Sequence, residues 1–323
     1  MTSQQIEYVL TLAEQGSFSK AARKLSVTQP SLSQYIINIE NQLGTPLFDR
    51  STTPVKLTAA GQAYVRTAVQ IKVLEESLRN EISDMSDLRT GSLRIGSTIF
   101  RASCMLPRSI TEFCHRYSGV NVSVTEAGSQ QLLEAVLSGE IDLFIGAVSF
   151  DPKLLEAEPL ADERLLLAVP EKSELAGKLT ATPLTAQDIR GSSMKFLTAK
   201  PVELSQLAGE KIIVCDDGGE FTSEKIDSIF STAGMTPNYA LKVRSVESAF
   251  AFVKAEFGLA FLPDSLVRFG DVSKHPVYFV LPDALAKTDI SLVYRKNSYL
   301  TKAAREYSLL LKQLVSYGTW RTS

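Results

Sequence analysis

The chain has 323 residues, enough for two or three domains with complete hydrophobic cores. Its 34 Lys and Arg residues are balanced by 36 Asp and Glu residues, so the overall charge neither indicates nor excludes a nucleic-acid partner. The sequence lacks a membrane-length apolar run and a signal-peptide pattern, and its three scattered cysteines and two histidines exclude a disulfide framework and a zinc cluster. We therefore expect a cytoplasmic protein with no cofactor and no membrane partner. Its thiols are expected to be buried or inert, with redox sensing as the alternative.

Two short helices joined by a tight turn are predicted between Gly16 and Leu43. In the first, apolar residues recur at helical spacing, at Phe18, Ala21, Ala22 and Leu25. Thr28 is a good N-cap for the second helix, and Pro30 in its first turn sacrifices no hydrogen bond. Gly44 is a natural C-cap. The core face of the second helix is expected to carry Leu32, Ile36, Ile39 and Leu43.

The opposite face of the second helix offers short polar side chains near its N-terminus. These candidate DNA-binding residues are Gln29, Pro30, Ser31, Ser33, Gln34 and Asn38. Glutamine can bond adenine through two hydrogen bonds, serine can bond several base edges, and the helix N-terminus favours phosphate. A helix-turn-helix that reads the major groove is therefore one interpretation, and a pair of ordinary amphipathic helices is the other.

The segment from Arg50 to Thr58 predicts a two-stranded wing with Pro54 at its bend. Four of its side chains are candidates for phosphate contacts, namely Arg50, Thr52, Thr53 and Lys56. Thr58 can cap the helix that follows.

The stretch "GSFSKAARKLSVTQPSLSQYIINIENQLGTPLFDRSTTPVKLTAAG" closely resembles the winged helix-turn-helix of LysR-type transcriptional regulators. The match runs from Ile6 to Gly61 almost without a gap. Gln34, Tyr35 and Ile39 depart from the residues commonest in the family, which affects the preferred DNA sequence and not the fold. The resemblance implies an all-α winged helix-turn-helix domain over residues 1–58.

The predicted DNA-binding domain is only weakly basic. Five Lys and Arg residues in the first 60 barely exceed four acids, namely Glu7, Glu14, Glu40 and Asp49. A single such module gains little from counterion release, so we expect two or more DNA-binding heads to act together.

One long helix is predicted over residues 59–89, because no proline or internal glycine interrupts it after Gly61. A coiled-coil seam is indicated by the spacing of Tyr64, Ala68, Ile71, Leu78, Ile82 and Met85. The alternative is an amphipathic helix packed on its own domain. The family resemblance implies that this linker helix pairs two subunits and that pairs of dimers form tetramers.

Strand and helix patterns alternate beyond Gly91. "SLRIGST" (92–98), "VNVSVTEA" (120–127) and "IDLFIGAV" (141–148) predict strands that alternate with helices in a mainly parallel sheet. A second α/β set begins near "RLLLAVP" (164–170). The segments "VYFVLP" and "ISLVYRK" are expected to return to the first set with the closing helix.

The predicted fold class of residues 90–323 is therefore α/β, with two Rossmann-like lobes. Lobe I covers about 90–163 and 268–323, and lobe II about 164–267. This arrangement resembles the effector-binding domain of LysR-type regulators, whose lobes are similar to periplasmic binding proteins. Residues 178–200 look longer than the usual connection and predict either a surface insertion or a lid or subunit contact.

Two lobes joined by crossing strands enclose a cleft where helix N-termini can hold an anion. At the end of the first strand, Ser97 and Thr98 either bind an effector carboxylate, as the family resemblance implies, or simply cap the next helix. Gly128 and Ser129 occupy the corresponding turn after the second strand, with the same two interpretations. The other effector-binding candidates are Phe100, Arg101, Phe196 and Phe221, with a surface position for the arginine and core positions for Phe196 and Phe221 as the alternatives.

The predicted strand "KIIVCDD" ends in two acidic residues, Asp216 and Asp217. Either both are solvated or cap the next helix, or one points into the cleft opposite Ser97 and Thr98. In the second case the effector is expected to be an amino acid or similar zwitterion with its ammonium at Asp216.

A ligand-responsive transcriptional regulator explains the wing, the linker helix and the two lobes together. The alternative, a cytoplasmic small-molecule-binding protein or an enzyme on the two lobes, leaves the first 90 residues unexplained, and no nucleophile and base pair or phosphate loop stands out. We therefore predict a non-enzyme that binds an interrupted inverted repeat in double-stranded DNA as a homodimer or homotetramer. Its other partners are expected to be a small-molecule effector, such as an amino acid or small carboxylate, and RNA polymerase.

Overall fold

The computed structural model describes residues 1–84, 91–216, 222–269, 275–296 and 298–316. The chain divides into two units, Met1–Met85 and Ser86–Ser323. Over the described residues, none of the helices is both long enough and apolar enough to cross a bilayer.

The first unit contains helices and one small hairpin. Its elements are α1 (Ser3–Gln15), α2 (Phe18–Lys24), α3 (Gln29–Leu43), β1 (Phe48–Asp49), β2 (Lys56–Leu57) and α4 (Ala59–Asp84). The Thr28 hydroxyl accepts a hydrogen bond from the Ser31 amide and caps α3, and Gly44 ends α3 in the left-handed conformation at φ 70°. The Thr58 hydroxyl likewise accepts from the Gly61 amide at 3.0 Å. The predicted caps are confirmed.

One hydrophobic core holds the helices of this unit together. Its buried residues are Ile6, Val9, Leu12, Ala21, Ala22, Leu32, Ile36, Ile39, Leu47, Phe48, Tyr64 and Ala68. The prediction that Leu43 belongs to this core is wrong, because Leu43 is 49% exposed. It is the last residue of α3, so its side chain lies past the end of the packed helix surface.

The long helix α4 has two different halves. Tyr64 and Ala68 are buried in the core of the first unit, and Ile71 packs against that core. For these residues the seam prediction is wrong and the alternative, packing on the helix's own domain, is right. In contrast, Leu78 and Ile82 are 57% and 58% exposed, and Leu74 is 63% exposed at the same spacing. Met85 and the predicted helix end at residue 89 lie outside the described residues.

The second unit alternates strands and helices. Its strands are β3 (Gly91–Ser97), β4 (Val120–Glu126), β5 (Leu143–Gly146), β6 (Leu155–Val169), β7 (Lys211–Cys215), β8 (Asn238–Val243), β9 (Leu259–Pro263), β10 (Val277–Val280) and β11 (Lys287–Arg295). Its helices are α5 (Ile99–Arg116), α6 (Ser129–Ser138), α7 (Glu174–Lys178), α8 (Ala186–Arg190), α9 (Met194–Leu197), α10 (Ser223–Ser231), α11 (Val246–Lys254), α12 (Asp264–Phe269), α13 (Asp283–Ala286) and α14 (Lys302–Ser316), with a 3-10 turn at Leu204–Leu207.

These strands form one sheet in the order β4-β3-β5-β11-β6-β9-β7-β8, with β10 paired to β6. Strand β3 pairs in parallel with β4 and β5, and β7 pairs in parallel with β8 and β9. Two parallel β-α-β groups therefore flank the antiparallel strands β6 and β11. The predicted α/β class with two lobes and two crossing strands is confirmed.

The chain returns to lobe I later than predicted. Strand β10 pairs with Leu166–Val169 of β6, and its Tyr278 and Phe279 are buried in the core of lobe II. The assignment of residues from 268 onward to lobe I is therefore wrong for β10. The far half of the continuous strand β6 offers pairing edges to both β9 and β10, so the return crossing is made by β11.

Residues 178–200 are part of lobe II rather than an insertion on its surface. Leu184 and Tyr278 exchange two backbone hydrogen bonds of 2.9 and 3.0 Å. Leu179, Ile189 and Phe196 are buried in the lobe II core. The expectation of a surface insertion is therefore wrong, because the segment supplies apolar side chains that the lobe needs.

A buried hydroxyl pair joins two helices of lobe I. The Tyr307 hydroxyl on α14 lies 2.8 Å from Ser109 Oγ on α5, and both residues are fully buried. The Ser109 hydroxyl also contacts the Leu106 carbonyl at 3.0 Å. Burial raises the pKa of Tyr307, so its hydroxyl stays neutral.

We expect Ser109→Ala to lower the free energy of unfolding by about 1–3 kcal/mol, because it leaves the buried Tyr307 hydroxyl without a partner. Tyr307→Phe should cost only about 1 kcal/mol, since Ser109 keeps its bond to Leu106. In urea unfolding followed by circular dichroism, the double variant should cost less than the sum of the two. Strictly additive costs would contradict the coupling.

Candidate functional site

The solvent side of α3 presents a row of polar residues opposite its buried face. Gln29, Pro30, Ser31, Gln34 and Asn38 are exposed, and Ser33 is half-buried. The Gln34 amide donates to the Asn38 carbonyl oxygen at 3.1 Å, as expected for side chains four residues apart on a helix. The two amides therefore form one continuous hydrogen-bonding surface.

The wing is an antiparallel hairpin in which Phe48 faces Leu57 and Asp49 faces Lys56. Lys56 and Thr53 are exposed, whereas Thr52 is half-buried and its hydroxyl donates to the Pro54 carbonyl at 3.0 Å. Hydrogen bonds from the Ser51 hydroxyl and amide lower the pKa of Asp49, so this residue keeps a negative charge beside Lys56.

Glu40 connects the wing to α3. Its Oε1 accepts from the amides of Leu47 and Phe48 at 2.9 and 3.2 Å, and its Oε2 lies 2.7 Å from Arg50 Nη2. The Arg50 guanidinium also lies 5.2 Å from the centre of the Phe18 ring. Arg50 thus has an internal partner that the sequence did not predict.

A cavity of about 470 Å³ lies between the two lobes of the second unit. Lobe I contributes the turns after β3 and β4, and lobe II contributes the turns after β7 and β8. The lining residues are Thr98, Ile99, Phe100, Ala127, Gly128, Gln130, Gln131, Asp216, Arg244, Ser245, Val246 and Glu247. A cavity of this size suits a small metabolite.

Two helices point uncapped N-termini at this cavity. Thr98 and Gly128 are the N-cap residues of α5 and α6, and neither helix has a side-chain cap. By contrast, the Ser245 hydroxyl caps α11 by accepting from the Ser248 amide at 3.1 Å. The free amides and partial positive charges of α5 and α6 favour an anionic ligand.

The structure brings some of the predicted effector residues to the cavity and not others. Thr98, Phe100, Gly128 and Asp216 line it. Phe196 instead lies in the lobe II core, and Ser129 is 2% exposed and does not reach the cavity. Ser97 is fully buried, and its hydroxyl donates to the Ile145 carbonyl at 2.8 Å. Asp217 and Phe221 lie outside the described residues.

Arg101 is neither on the surface nor available to an effector. Its guanidinium lies 2.5 Å from Glu163 on β6, and Glu163 also accepts from the Ser265 hydroxyl on α12. Neighbouring Cys104 is mostly buried, and desolvation raises its pKa to about 12. The raised pKa disfavours the reactive thiolate form of Cys104. Over the described residues, no group of three or more histidine, cysteine and acidic side chains could hold a metal ion.

Arg244 and Glu247 are cavity residues that sequence reasoning missed. They flank the N-cap Ser245, where β8 ends and α11 begins. This strand-to-helix turn is the same kind of position that singled out Thr98 and Gly128. The same criterion, applied to the strand "YALKVRS", would have found both residues.

Family models match most of the chain. Residues 3–62 match the bacterial regulatory helix-turn-helix protein model of the lysR family, and residues 86–198 and 192–315 match the LysR substrate binding domain. The chain belongs to the LysR family. It is a ligand-responsive, DNA-binding transcriptional regulator and not an enzyme, so the alternative of an enzyme or solute-binding protein on the two lobes is excluded.

Relatives of this LysR-family chain align along nearly its whole length. The probable cat1 operon transcriptional activator of Acinetobacter lwoffii is 27% identical, over 98% of this chain and 95% of the relative. The regulator BenM of Acinetobacter baylyi is 26% identical, over 98% of this chain and 97% of the relative. The crystal structure of full-length CbnR complexed with its target DNA shares the fold with a TM-score of 0.58 and 21% identity, over 97% of this chain and 99% of that one.

We expect Glu40→Gln to lower the free energy of unfolding of the first unit by about 1–3 kcal/mol, because it weakens charge-assisted bonds to two amides and Arg50. The matched control is Glu14→Gln, which breaks the exposed pair with Lys24 and should cost at most about 1 kcal/mol. Scanning calorimetry of the full chain measures both. Equal losses would mean that Glu40 does not hold the wing.

Proposed function

We propose that this LysR-family regulator reads DNA through the exposed polar row of α3 and holds the phosphates through its wing. The observation that carries the proposal is the row itself, which ends in paired Gln34 and Asn38 amides on the side opposite the core. Glutamine and asparagine can each bond adenine through two hydrogen bonds in the major groove. A row of short side chains on a rigid helix suits such contacts.

The proposed contacts divide into two kinds. Base edges are assigned to Gln29, Ser33 and Gln34, with Pro30, Ser31 and Asn38 beside them. Phosphates are assigned to exposed Arg50, Thr53 and Lys56 and to half-buried Thr52. The Arg50 guanidinium has five N–H donors, so its bond to Glu40 leaves others for a phosphate.

We propose that DNA-binding heads act in pairs through the second half of α4. Leu74, Leu78 and Ile82 are exposed at helical spacing, which is the pattern of a helix-pairing seam. Internal ion pairs support the need for two heads, since Glu14 neutralises Lys24 and Glu40 neutralises Arg50. A two-fold dimer then meets an interrupted inverted repeat, and two dimers would make a tetramer.

A small metabolite with an anionic group is the proposed effector. Support comes from the two uncapped helix N-termini and exposed Arg244 at the interlobe cavity. Closure of the lobes about β6 and β11 would change the geometry of the paired heads and their contact with RNA polymerase. The proposed location is the cytoplasm, where a DNA-binding regulator meets its DNA.

Gln34→Ala should reduce discrimination at the base pair it contacts by about 1–3 kcal/mol, because it removes a two-bond contact to a base edge. Lys56→Ala should instead lower the affinity for all DNA sequences alike. It should also reduce the slope of log affinity against log salt concentration by about one. Mobility shifts with a randomised site, measured over a salt series, separate the two effects.

The matched control is Lys178→Ala, a change of the same charge on α7 of the second unit, which should alter neither property. An unchanged site preference in Gln34→Ala would mean that another face of α3 meets the bases.

The double variant Leu78→Glu/Ile82→Glu should dissociate the dimer and abolish specific DNA binding, because it places charges in the proposed seam. The control Leu309→Glu changes a comparably exposed leucine on α14, which is 55% exposed, and should leave the assembly intact. Light scattering measures the mass of each. If the double variant remains a dimer, α4 is not the main interface.

A further inference from the structure

Within the described part of the chain, one carboxylate oxygen at the interlobe cavity has no hydrogen-bond partner. Glu247 lies in the first turn of α11 and lines the cavity, yet its Oε2 is buried and makes no hydrogen bond to any described residue. A carboxylate oxygen shielded from water and left unpaired destabilises a folded protein. The cationic group of a ligand would supply the partner that this carboxylate lacks.

Among the residues that the structure describes, the other charges at or near the cavity are paired or exposed to solvent. Arg101 is held by Glu163, so this buried cation is neutralised. The Asp216 side chain is 46% exposed and lies 4.0 Å from Lys242. Arg244 is exposed and forms no ion pair within the parts of the chain that the structure describes. The cavity thus offers one carboxylate without a cation and one cation without an anion.

These two unmatched groups lie on the same turn of lobe II, facing the uncapped helices of lobe I. Arg244 directly follows the last residue of β8, and Glu247 follows three residues later in the first turn of α11. A ligand with one charge of each sign would match both groups. A simple anion would satisfy the helix N-termini and Arg244 and leave Glu247 unpaired.

We propose that the effector is an aminocarboxylate whose cationic nitrogen binds Glu247 and whose carboxylate binds Arg244 and the N-termini of α5 and α6. This inference rests on the proposed function, since it names the ligand class of the same cleft. It also replaces Asp216 with Glu247 as the cation-binding residue. Glu247 is the better candidate because its oxygen is buried and unpaired, whereas Asp216 is solvated and already lies near a lysine.

The first test uses the full chain without ligand. Glu247→Gln keeps the shape of the side chain and removes its charge, so it should raise the Tm if the carboxylate is unpaired. The matched control is Glu224→Gln, which changes an exposed acid at the equivalent first-turn position of α10. That control should lower the Tm slightly or leave it unchanged, because it loses only the interaction with the helix dipole. An unchanged or lower Tm in Glu247→Gln would show an internal partner and overturn the proposal.

The second test compares ligands that differ only in the amino group. Thermal shift and calorimetry are run with the common protein amino acids and their deaminated acids, such as L-leucine with 4-methylpentanoate and L-phenylalanine with 3-phenylpropanoate. At least one amino acid should bind the wild-type protein more tightly than its deaminated acid. Glu247→Gln should lower the affinity for that amino acid at least about tenfold and leave the affinity for the deaminated acid unchanged. Asp216→Asn should change neither affinity.

Three results would overturn the proposal, namely no binding by any amino acid, equal binding of deaminated acids, or undiminished binding to Glu247→Gln. Mobility shifts are run on the same protein preparations, with DNA selected from the randomised site described above. If the wild-type protein shows no specific DNA binding, the proposed function fails. If it binds DNA and any of the three results appears, only the effector assignment fails.

Discussion

The antiparallel pairing of β6 with β11 is the constraint on which the second unit depends. Residues Leu155–Arg164 pair with Lys287–Arg295, and in the described sheet this ladder joins the strands of lobe I to those of lobe II. Glu163 lies on that ladder and binds Arg101 of lobe I and Ser265 of lobe II at once. Separating a buried ion pair is expensive, so lobe motion is confined to rotations that keep these groups together.

The cavity follows from the same architecture. Parallel strands on each side of β6 and β11 end at the cleft, and the helices that follow begin there. Thr98 and Gly128 supply backbone donors from lobe I, whereas Arg244 and Glu247 supply side-chain charges from lobe II. Backbone donors of this kind bind many anions, so the proposal assigns selectivity among ligands to the charged side chains of lobe II.

Sequence reasoning succeeded where the determinants are local. Thr28, Pro30 and Gly44 define α3 through their own backbone chemistry, and the structure confirms them. Tyr64 and Arg101 were misplaced because their environments come from distant segments; the partner of Arg101 is 62 residues away. Leu43 was misplaced because it is the last residue of α3 and is exposed there. An apolar spacing of three and four residues is the same for an intramolecular face and a coiled-coil seam, so α4 could not be divided from its pattern.

The two halves of α4 also have a consequence for how such regulators diversify. Tyr64, Ala68 and Ile71 complete the core of the first unit, whereas Leu74 begins the exposed stretch. A recombination junction between Ile71 and Leu74 would therefore leave the DNA-binding unit with a complete hydrophobic core. A junction before Ile71 would remove residues from that core. The point in α4 between these two halves is therefore a suitable junction for gene fusion. One DNA-binding unit can be exchanged for another there without changing the second unit.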